Sequence, residues 1–472
     1  MHSPRGIMTI IEGILIFCAI IGIYAFLVFV LQKKGILKKH NISFYGPALM
    51  WRTERGIQFL KNRAKHIRFW RMYGNFSIIF SFVTMVLMTL LIIFTARIVF
   101  GFTPAQRNAL PGPELALVIP GINPILPLEF IGYVLLGLIV AIVVHEFSHG
   151  ILALVDKIKV KSLGILYLIV PIGAFCEPDE EEVKKAHILP RMRIYAAGPT
   201  ANFVVVLLSI LLFSAVFMPA VQQTDEGAVV FMVDTNSPAE AIGLRSGSII
   251  TSFNDTRIYN GTDYIVAWNK TKTNQTINIS FIYDNVVTTT HVQLLDKYTE
   301  YEKRSTVYIK NNISYKGKGY LGVQSLFRDT VIKEQLAILK NPFYNFPNGL
   351  LTFYSLPLLG YFAGYNPIVS PFTGSYTITG PLGYLPPAFF WIIINAIYWI
   401  FWLNLAVSLF NVLPMVPLDG GFLFNDGVRA LIIRLKKEIT EETKEKIVRN
   451  ISLAISLMIL GLILIPFVIK YV

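Results

Sequence analysis

Cysteine and charge are both scarce in this chain. Only Cys18 and Cys176 occur in 472 residues, which excludes a disulfide-stapled scaffold and leaves each as a small core residue. Charged residues amount to 15% while hydrophobic ones reach 54%, with a mean hydropathy of +0.56. A chain of that balance is neither disordered nor soluble, and the composition is that of a multi-pass membrane protein. Acidic residues are the rarer sign, 29 against 42 basic ones, for a net charge of +13. Such a balance suits nucleic acid unless the positive charge sits at a membrane surface, so its location decides.

Long apolar runs are what the chain does have. Six are long enough to cross about 30 Å of hydrocarbon as helices, which takes roughly 20 residues: Thr9–Leu31, Phe76–Ala96, Phe130–Val155, Ile194–Pro219, Ala388–Phe410 and Ile451–Ile469. The first is too long for a secretory signal core and is followed by positive charge, so it reads as an uncleaved anchor with its N-terminus outside. Between the first two runs lie Lys33, Lys34, Lys38, Lys39, Arg52, Arg55, Lys61, Arg63, Lys65, Arg68 and Arg71, eleven basic residues against Glu54 alone. This concentration marks the loop as cytoplasmic. Its interleaved aromatics, Phe44, Tyr45, Trp51, Phe69 and Trp70, also fit a nucleic-acid patch, but a segment lying on an anionic leaflet explains the pattern with less. The expected partner is therefore the lipid bilayer, with no nucleic acid. Counting onward, 156–193 and 425–450 fall inside and 221–384 outside. Six Asn-X-Ser/Thr sequons, beginning at Asn254, Asn260, Asn269, Asn274, Asn278 and Asn312, lie in that outer region, although Asn41, Asn75 and Asn450 match the same pattern on the inner side.

From Glu226 to about Gln324 the composition turns polar and rich in β-formers. Within it, Ser237-Pro-Ala-Glu-Ala-Ile-Gly-Leu-Arg-Ser-Gly-Ser-Ile-Ile250 reads as a short helix capped by Ser237, with Pro238 in its first turn and Gly243 at its end, followed by a turn at Gly247 into a strand. That segment resembles the PDZ domains of bacterial and archaeal membrane and periplasmic proteases, and Gly319-Tyr-Leu-Gly322 is similar to their closing strand. The resemblance implies an α+β domain that binds an extended peptide or protein segment by strand addition; a β-spacer is the other reading. Downstream, 342–364 is apolar but interrupted by Pro347 and Pro357, and is read as interfacial or re-entrant.

Of the seven histidines only two lie in an apolar run. They stand in Val144-His-Glu-Phe-Ser-His-Gly150, four residues apart, so both imidazoles leave one face of a helix and can grip one metal ion. Glu146 beside them can accept a proton from a water on that metal, the general-base arrangement of HExxH metallopeptidases. An ionisable glutamate in mid-span costs about 2.5–3.5 kcal/mol unless a cavity or an ion compensates it. A catalytic zinc wants a third protein ligand and an open fourth position. Asp419 is the candidate, in Asn411-Val-Leu-Pro-Met-Val-Pro-Leu-Asp-Gly-Gly421, where Pro414 and Pro417 stop the helix and Gly420 and Gly421 permit close approach. A loop aspartate capping the next helix is the competing reading, and depth separates the two. Fifteen residues carry His145 about 22 Å inward from Phe130, and the fifth run covers about 33 Å before Asp419 emerges at the same leaflet.

These two motifs resemble the site-2 protease family of intramembrane zinc metalloproteases, which pairs HExxH on one span with Asn-x-x-Pro-x-x-Pro-Leu-Asp-Gly on a later one. Asn411, Pro414, Pro417, Leu418, Asp419 and Gly420 fall in register, and Ala197-Gly-Pro-Thr-Ala-Asn202 matches the family's Gly-Pro-x-x-Asn element. The likeness covers the third to fifth spans with the insert between them, and is of the archaeal and bacterial type. It implies His145, His149 and Asp419 as zinc ligands, Glu146 as base, and Asn411 near the metal as a substrate or oxyanion contact, unless that asparagine caps its helix end. Gly198, Pro199 and Asn202 read as close helix packing. The short stretch Leu163–Phe175 is read as a re-entrant strand or loop that could pair with unwound substrate, or as an interfacial anchor.

The expected architecture is a polytopic α-helical membrane protein of about six transmembrane helices with an inserted α+β PDZ-like extracytoplasmic domain. Its parts are a two-span hairpin with a basic cytoplasmic loop (1–105), a first catalytic membrane region (128–219), the PDZ-like domain (221–330), the interfacial segment (340–384), a second catalytic region (385–424), and a cytoplasmic loop with the last span (425–472). The expected activity is hydrolysis of peptide bonds within or near transmembrane segments of membrane-protein substrates, with the site toward the cytoplasmic side. Two other classes remain: a catalytically silent PDZ-bearing scaffold, which has no need of Glu146, and a zinc carrier, which would be expected to place further polar groups along several spans.

Overall fold

Apolar runs bury their own backbone polar groups in lipid only as helices, and five helices of the computed structural model are long and apolar enough to cross a membrane. The structure describes residues 22–471 except 46–47, 55, 109, 111, 113–114, 116–122, 124, 127, 168–170, 225–226, 255, 284–285, 304–312, 327–328, 364–365 and 436–439. Most of the first expected span, with Glu12 and Cys18, and the sequon at Asn312 lie outside the described residues; of that span the described part is an apolar helix at Gly22–Lys33. The five long helices are α1 (Ile67–Phe100), α2 (Ile131–Val155), α3 (Ile188–Ile210), α4 (Pro387–Asn411) and, after a shorter α5 (Asp419–Leu435), α6 (Glu441–Ile469). The chain is thus a polytopic, membrane-type protein. It divides into two compact units, one of 1–112, 137–205 and 403–472, the other of 113–136 and 206–402.

The first unit holds a four-stranded sheet in chain order: β1 (Ile42–Tyr45), β2 (Ala48–Thr53), β3 (Val160–Tyr167) and β4 (Pro171–Pro178). The stretch expected as a short re-entrant strand or loop is the β3–β4 hairpin, with Leu163 opposite Cys176 and Gly164 opposite Phe175. The basic loop contributes the other two strands, for which the charge-based reading made no provision. There Ile42 pairs with Trp51, and Trp51 with Ile165. A buried cluster of Leu60, Leu152, Val155, Val160, Leu163, Cys176, Ile194 and Ala197 packs the sheet against the end of α2 and the start of α3. Asp156, just past α2, accepts from both Arg71 of α1 and Arg193 of α3, and Arg193 also reaches Asn75.

In the second unit the polar insert forms an antiparallel sheet of β5 (Ala228–Val233), β6 (Ile249–Phe253), β7 (Thr276–Tyr283), β8 (Val286–Gln293) and β9 (Val323–Leu326), in spatial order β8-β7-β6-β5-β9. Alternating Ile277, Ile279 and Phe281 of β7 enter a core with Val230, Leu244, Ile250, Phe253, Tyr264 and Leu321. Ser237 Oγ accepts from Glu240 N at 3.2 Å, capping the short helix Pro238–Ala241, and Gly243 and Gly247 take φ of +84° and +86°. Val221–Gln223 pairs with Tyr376–Ile378 and not with this sheet. A helix with four charged residues, Asp329–Lys340, follows the insert, and the apolar 342–364 holds two short helices, Asn348–Tyr354 and Leu356–Ala363. At 1.5 Å per residue none reaches across the hydrocarbon.

Candidate metal centre

One turn of α2 separates His145 from His149, and the two rings stand 4.7 Å apart, edge to face. The loop after α4 brings Asp419, first residue of α5, up to both: its Oδ2 lies 2.9 Å from His145 Nε2 and 3.3 Å from His149 Nε2. All three residues are largely buried. Among the described residues they are the group of metal-ligating side chains whose donor atoms lie within reach of a single ion. The two glycines after Asp419 make the approach possible. A Cβ on Gly420 would lie 2.3 Å from the backbone of Val412, and one on Gly421 2.6 Å from that of Met415, so the loop folds flush against the start of α5.

The opposite wall of the site is α3. Ile194, Gly198 and Asn202 recur every fourth residue and so line one stripe of that helix. Ile194 O lies 2.6 Å from His149 Nδ1, Asn202 Nδ2 lies 3.2 Å from His145 Nδ1, and Gly198 sits between. A Cβ on Gly198 would be 2.5 Å from His149 Nε2 and 2.7 Å from His145 Nε2. Two further contacts tie α3 to α5 and so hold Asp419 in register. Arg191 grips Asp426 with two N–H groups, and Tyr195 stacks on Phe422 at 5.3 Å. Ser408 near the end of α4 donates to Pro199 O at 2.8 Å.

Glu146, beside His145 on α2, reaches the sheet. Its Oε2 accepts from the backbone N–H of Cys176 at 2.8 Å. That N–H belongs to β4, the outer strand of the sheet, so the carboxylate rests on the strand's outward edge, one residue along the chain from His145.

Zinc suits these residues on their own geometry. In a tetrahedral site with bonds of about 2.0–2.1 Å, neighbouring ligand atoms lie about 3.4 Å apart; the His149–Asp419 separation of 3.3 Å matches this, and the His145–Asp419 separation of 2.9 Å is shorter. Ile194 O can only accept, so His149 carries a proton on Nδ1, and Nε2 is the nitrogen turned toward the Asp419 carboxylate. With its proton on Nδ1, that imidazole can offer Nε2 to a cation that the carboxylate also ligates. A side chain at position 198 would fill the space beside both Nε2 atoms that glycine leaves open.

A family model, that of peptidase family M50, matches residues 133–459. The chain belongs to peptidase family M50. This is the metalloprotease family of site-2 type, zinc-dependent in general. A relative, the uncharacterized protein MJ0971 of Methanocaldococcus jannaschii, is 26% identical over 437 residues, covering 90% of this chain and 92% of its own. Among solved structures, the crystal structure of the PDZ domain of an SdrC-like protein from Listeria monocytogenes is similar to 16% of this chain and 77% of that one, at 20% identity and a TM-score of 0.15.

Within the M50 stretch, the structure gathers His145, His149 and Asp419 and sets Glu146 beside them. Asn411 ends α4 and its Nδ2 donates to Val407 O of the same helix at 3.1 Å. Sequence reasoning treated Gly198 and Asn202 as packing. Gly198 does pack closely, but against the imidazoles, and Asn202 touches His145 directly. The four-residue spacing of 194, 198 and 202, matched to that of the histidines, was the signal available. The backbone partners, Ile194 O and Cys176 N–H, have no side-chain signature.

Proposed function

We propose that the chain is an intramembrane zinc metalloendopeptidase that hydrolyses peptide bonds within or near transmembrane segments of membrane proteins. His145, His149 and Asp419 would hold the ion and Glu146 would be the base. The observation that carries the reading is the meeting of three ligand-type side chains from two separated motifs around one small space, with an ionisable glutamate adjoining. A bound zinc supplies an acidified water and polarises a carbonyl oxygen. The chain's own part is proton handling and orientation: Glu146 accepts the water's proton at its carboxylate and can return it to the departing amine. Ile194 O and the α3–α5 contacts fix the ligands. A peptide bond inside a helix is covered and already hydrogen-bonded, so the substrate must unwind locally. β4 offers an outer strand edge along which such an extended segment could add. Because Glu146 rests on that edge, an added strand would lie against the base. Asn411, at the mouth of the same loop, is proposed as a weaker substrate contact. On the charge pattern of the loops, the site lies toward the cytoplasmic side and the insert outside, where β9, the outer strand beside β5, is proposed to receive a peptide segment.

The test compares the purified wild-type chain with Glu146→Gln and Asp419→Ala for zinc content and for cleavage of a candidate single-span substrate. Glu146→Gln should retain zinc and leave the substrate uncut, and Asp419→Ala should lose both. Cleavage persisting in purified Glu146→Gln eliminates the base. Zinc retained in full by Asp419→Ala eliminates the ligand set and leaves the scaffold reading in its place.

A further inference from the structure

Asn202 is completely buried on α3, with its Nδ2 3.2 Å from His145 Nδ1 and its Oδ1 without a hydrogen-bond partner among the described residues. A buried amide oxygen left unpaired is costly and calls for an explanation. We propose that Asn202 is the positioning residue for His145, and that its amide serves whichever tautomer that histidine adopts. This rests on His145 being a zinc ligand. In the orientation observed, Nδ2–H donates to Nδ1, which places the imidazole proton on Nε2, where it can be given to Asp419 Oδ2 at 2.9 Å. A metal on Nε2 requires the proton on Nδ1. Turning the planar amide by half a rotation then presents Oδ1 to that Nδ1–H and gives the orphaned oxygen its partner. An amide carries a donor and an acceptor on one plane without any change of protonation.

The two histidines are therefore held differently. His149 meets a backbone carbonyl, which accepts only and fixes one tautomer with or without metal. His145 meets a side chain that can follow its proton. Second-sphere acceptors of this kind orient a ligating imidazole and raise its basicity, and their loss weakens metal affinity by about 10- to 100-fold.

The experiment uses the full chain in detergent micelles, with zinc affinity read by chelator competition, the visible spectrum of the cobalt-substituted protein, and thermal unfolding of the metal-free form. Asn202→Ala and Asn202→Leu should each bind zinc about 10- to 100-fold more weakly with altered cobalt bands, while Asn202→Asp, which keeps an acceptor, stays within a few-fold of wild type. The metal-free unfolding temperatures separate a lost acceptor from a damaged fold. Wild-type affinity in Asn202→Leu overturns the proposal, as does Asn202→Asp weakened as much as Asn202→Leu, since either makes Asn202 a space-filler. If wild type and His145→Ala bind zinc equally poorly, the metal centre itself is wrong, a failure that is visible without any change at Asn202.

Discussion

Gly198→Ala is the smallest perturbation that strikes the centre of the site. The added methyl would stand 2.5 Å from His149 Nε2 and 2.7 Å from both Cε1 and Nε2 of His145, where ordinary contact begins near 3.4 Å. The rings must then withdraw by about 0.7–0.9 Å, several times the roughly 0.2 Å by which metal–ligand distances vary. Moving α3 away instead would break the 2.6 Å contact of Ile194 O with His149 and strain the grip of Arg191 on Asp426. Alanine is a better helix former than glycine by about 1 kcal/mol, so a weakened helix is not the expected cause of any loss. Misplacement approaching 1 Å costs about 100-fold in comparable sites, and we expect zinc affinity and cleavage to fall together by at least that factor. The assay is zinc per chain by elemental mass spectrometry after gel filtration with a mild chelator, with far-ultraviolet circular dichroism to confirm the helices. One zinc per chain at wild-type affinity in Gly198→Ala would refute the placement of the metal beside this helix.

Three more expectations concern the surroundings. Cys176→Pro removes the N–H that Glu146 accepts from, at an outward-facing position of an edge strand where proline is tolerated; kcat should drop with zinc content unchanged, Cys176→Ala should be near wild type, and equal activity in the proline variant would show that the bond is idle. Arg191→Ala leaves Asp426 buried without its partner and should destabilise the chain by about 3–5 kcal/mol in thermal or denaturant unfolding, whereas replacing both residues should cost less. Asp179 caps the helix Glu180–Lys185 by accepting from the backbone N–H of Glu182 and Glu181, and those bonds, with Lys161 alongside, hold its carboxyl below the usual value of 3.8. A group whose folded value is depressed contributes fully above its ordinary range and loses that contribution as pH falls through the folded value. Protection of the Glu181 and Glu182 amides, relative to their intrinsic exchange rates, should fall below about pH 4, Asp179→Asn should flatten that dependence, and a wild type whose protection is unchanged at pH 3 would contradict it.

What could be read from the sequence followed from period and spacing. Histidines four apart share a helix face, and prolines that end α4 leave an aspartate on a tight turn; both are local facts, so the three side chains that the structure gathers could be named without coordinates. The Ser237 cap and the glycine turns of the insert were legible for the same reason. The β1–β2 hairpin was not, because eleven basic residues masked the alternation of Ile42, Phe44, Leu49 and Trp51. The partners of Glu146 and His149 are backbone atoms supplied by β4 and α3, and no residue type announces a backbone atom. Asn202 stands 57 positions from His145 and meets it only because two helices cross at a glycine.

The sheet beside the centre also bears on what can be excised. The family match begins at residue 133, after β1 and β2. A shortened chain starting there would keep every proposed ligand, yet strip β3 of its neighbour from Leu163 to Tyr167 and leave a row of unpaired amides one strand away from the edge on which Glu146 rests. Bare edges of that kind recruit other chains. Expression of the recognisable core alone should therefore yield aggregates where the intact chain stays dispersed.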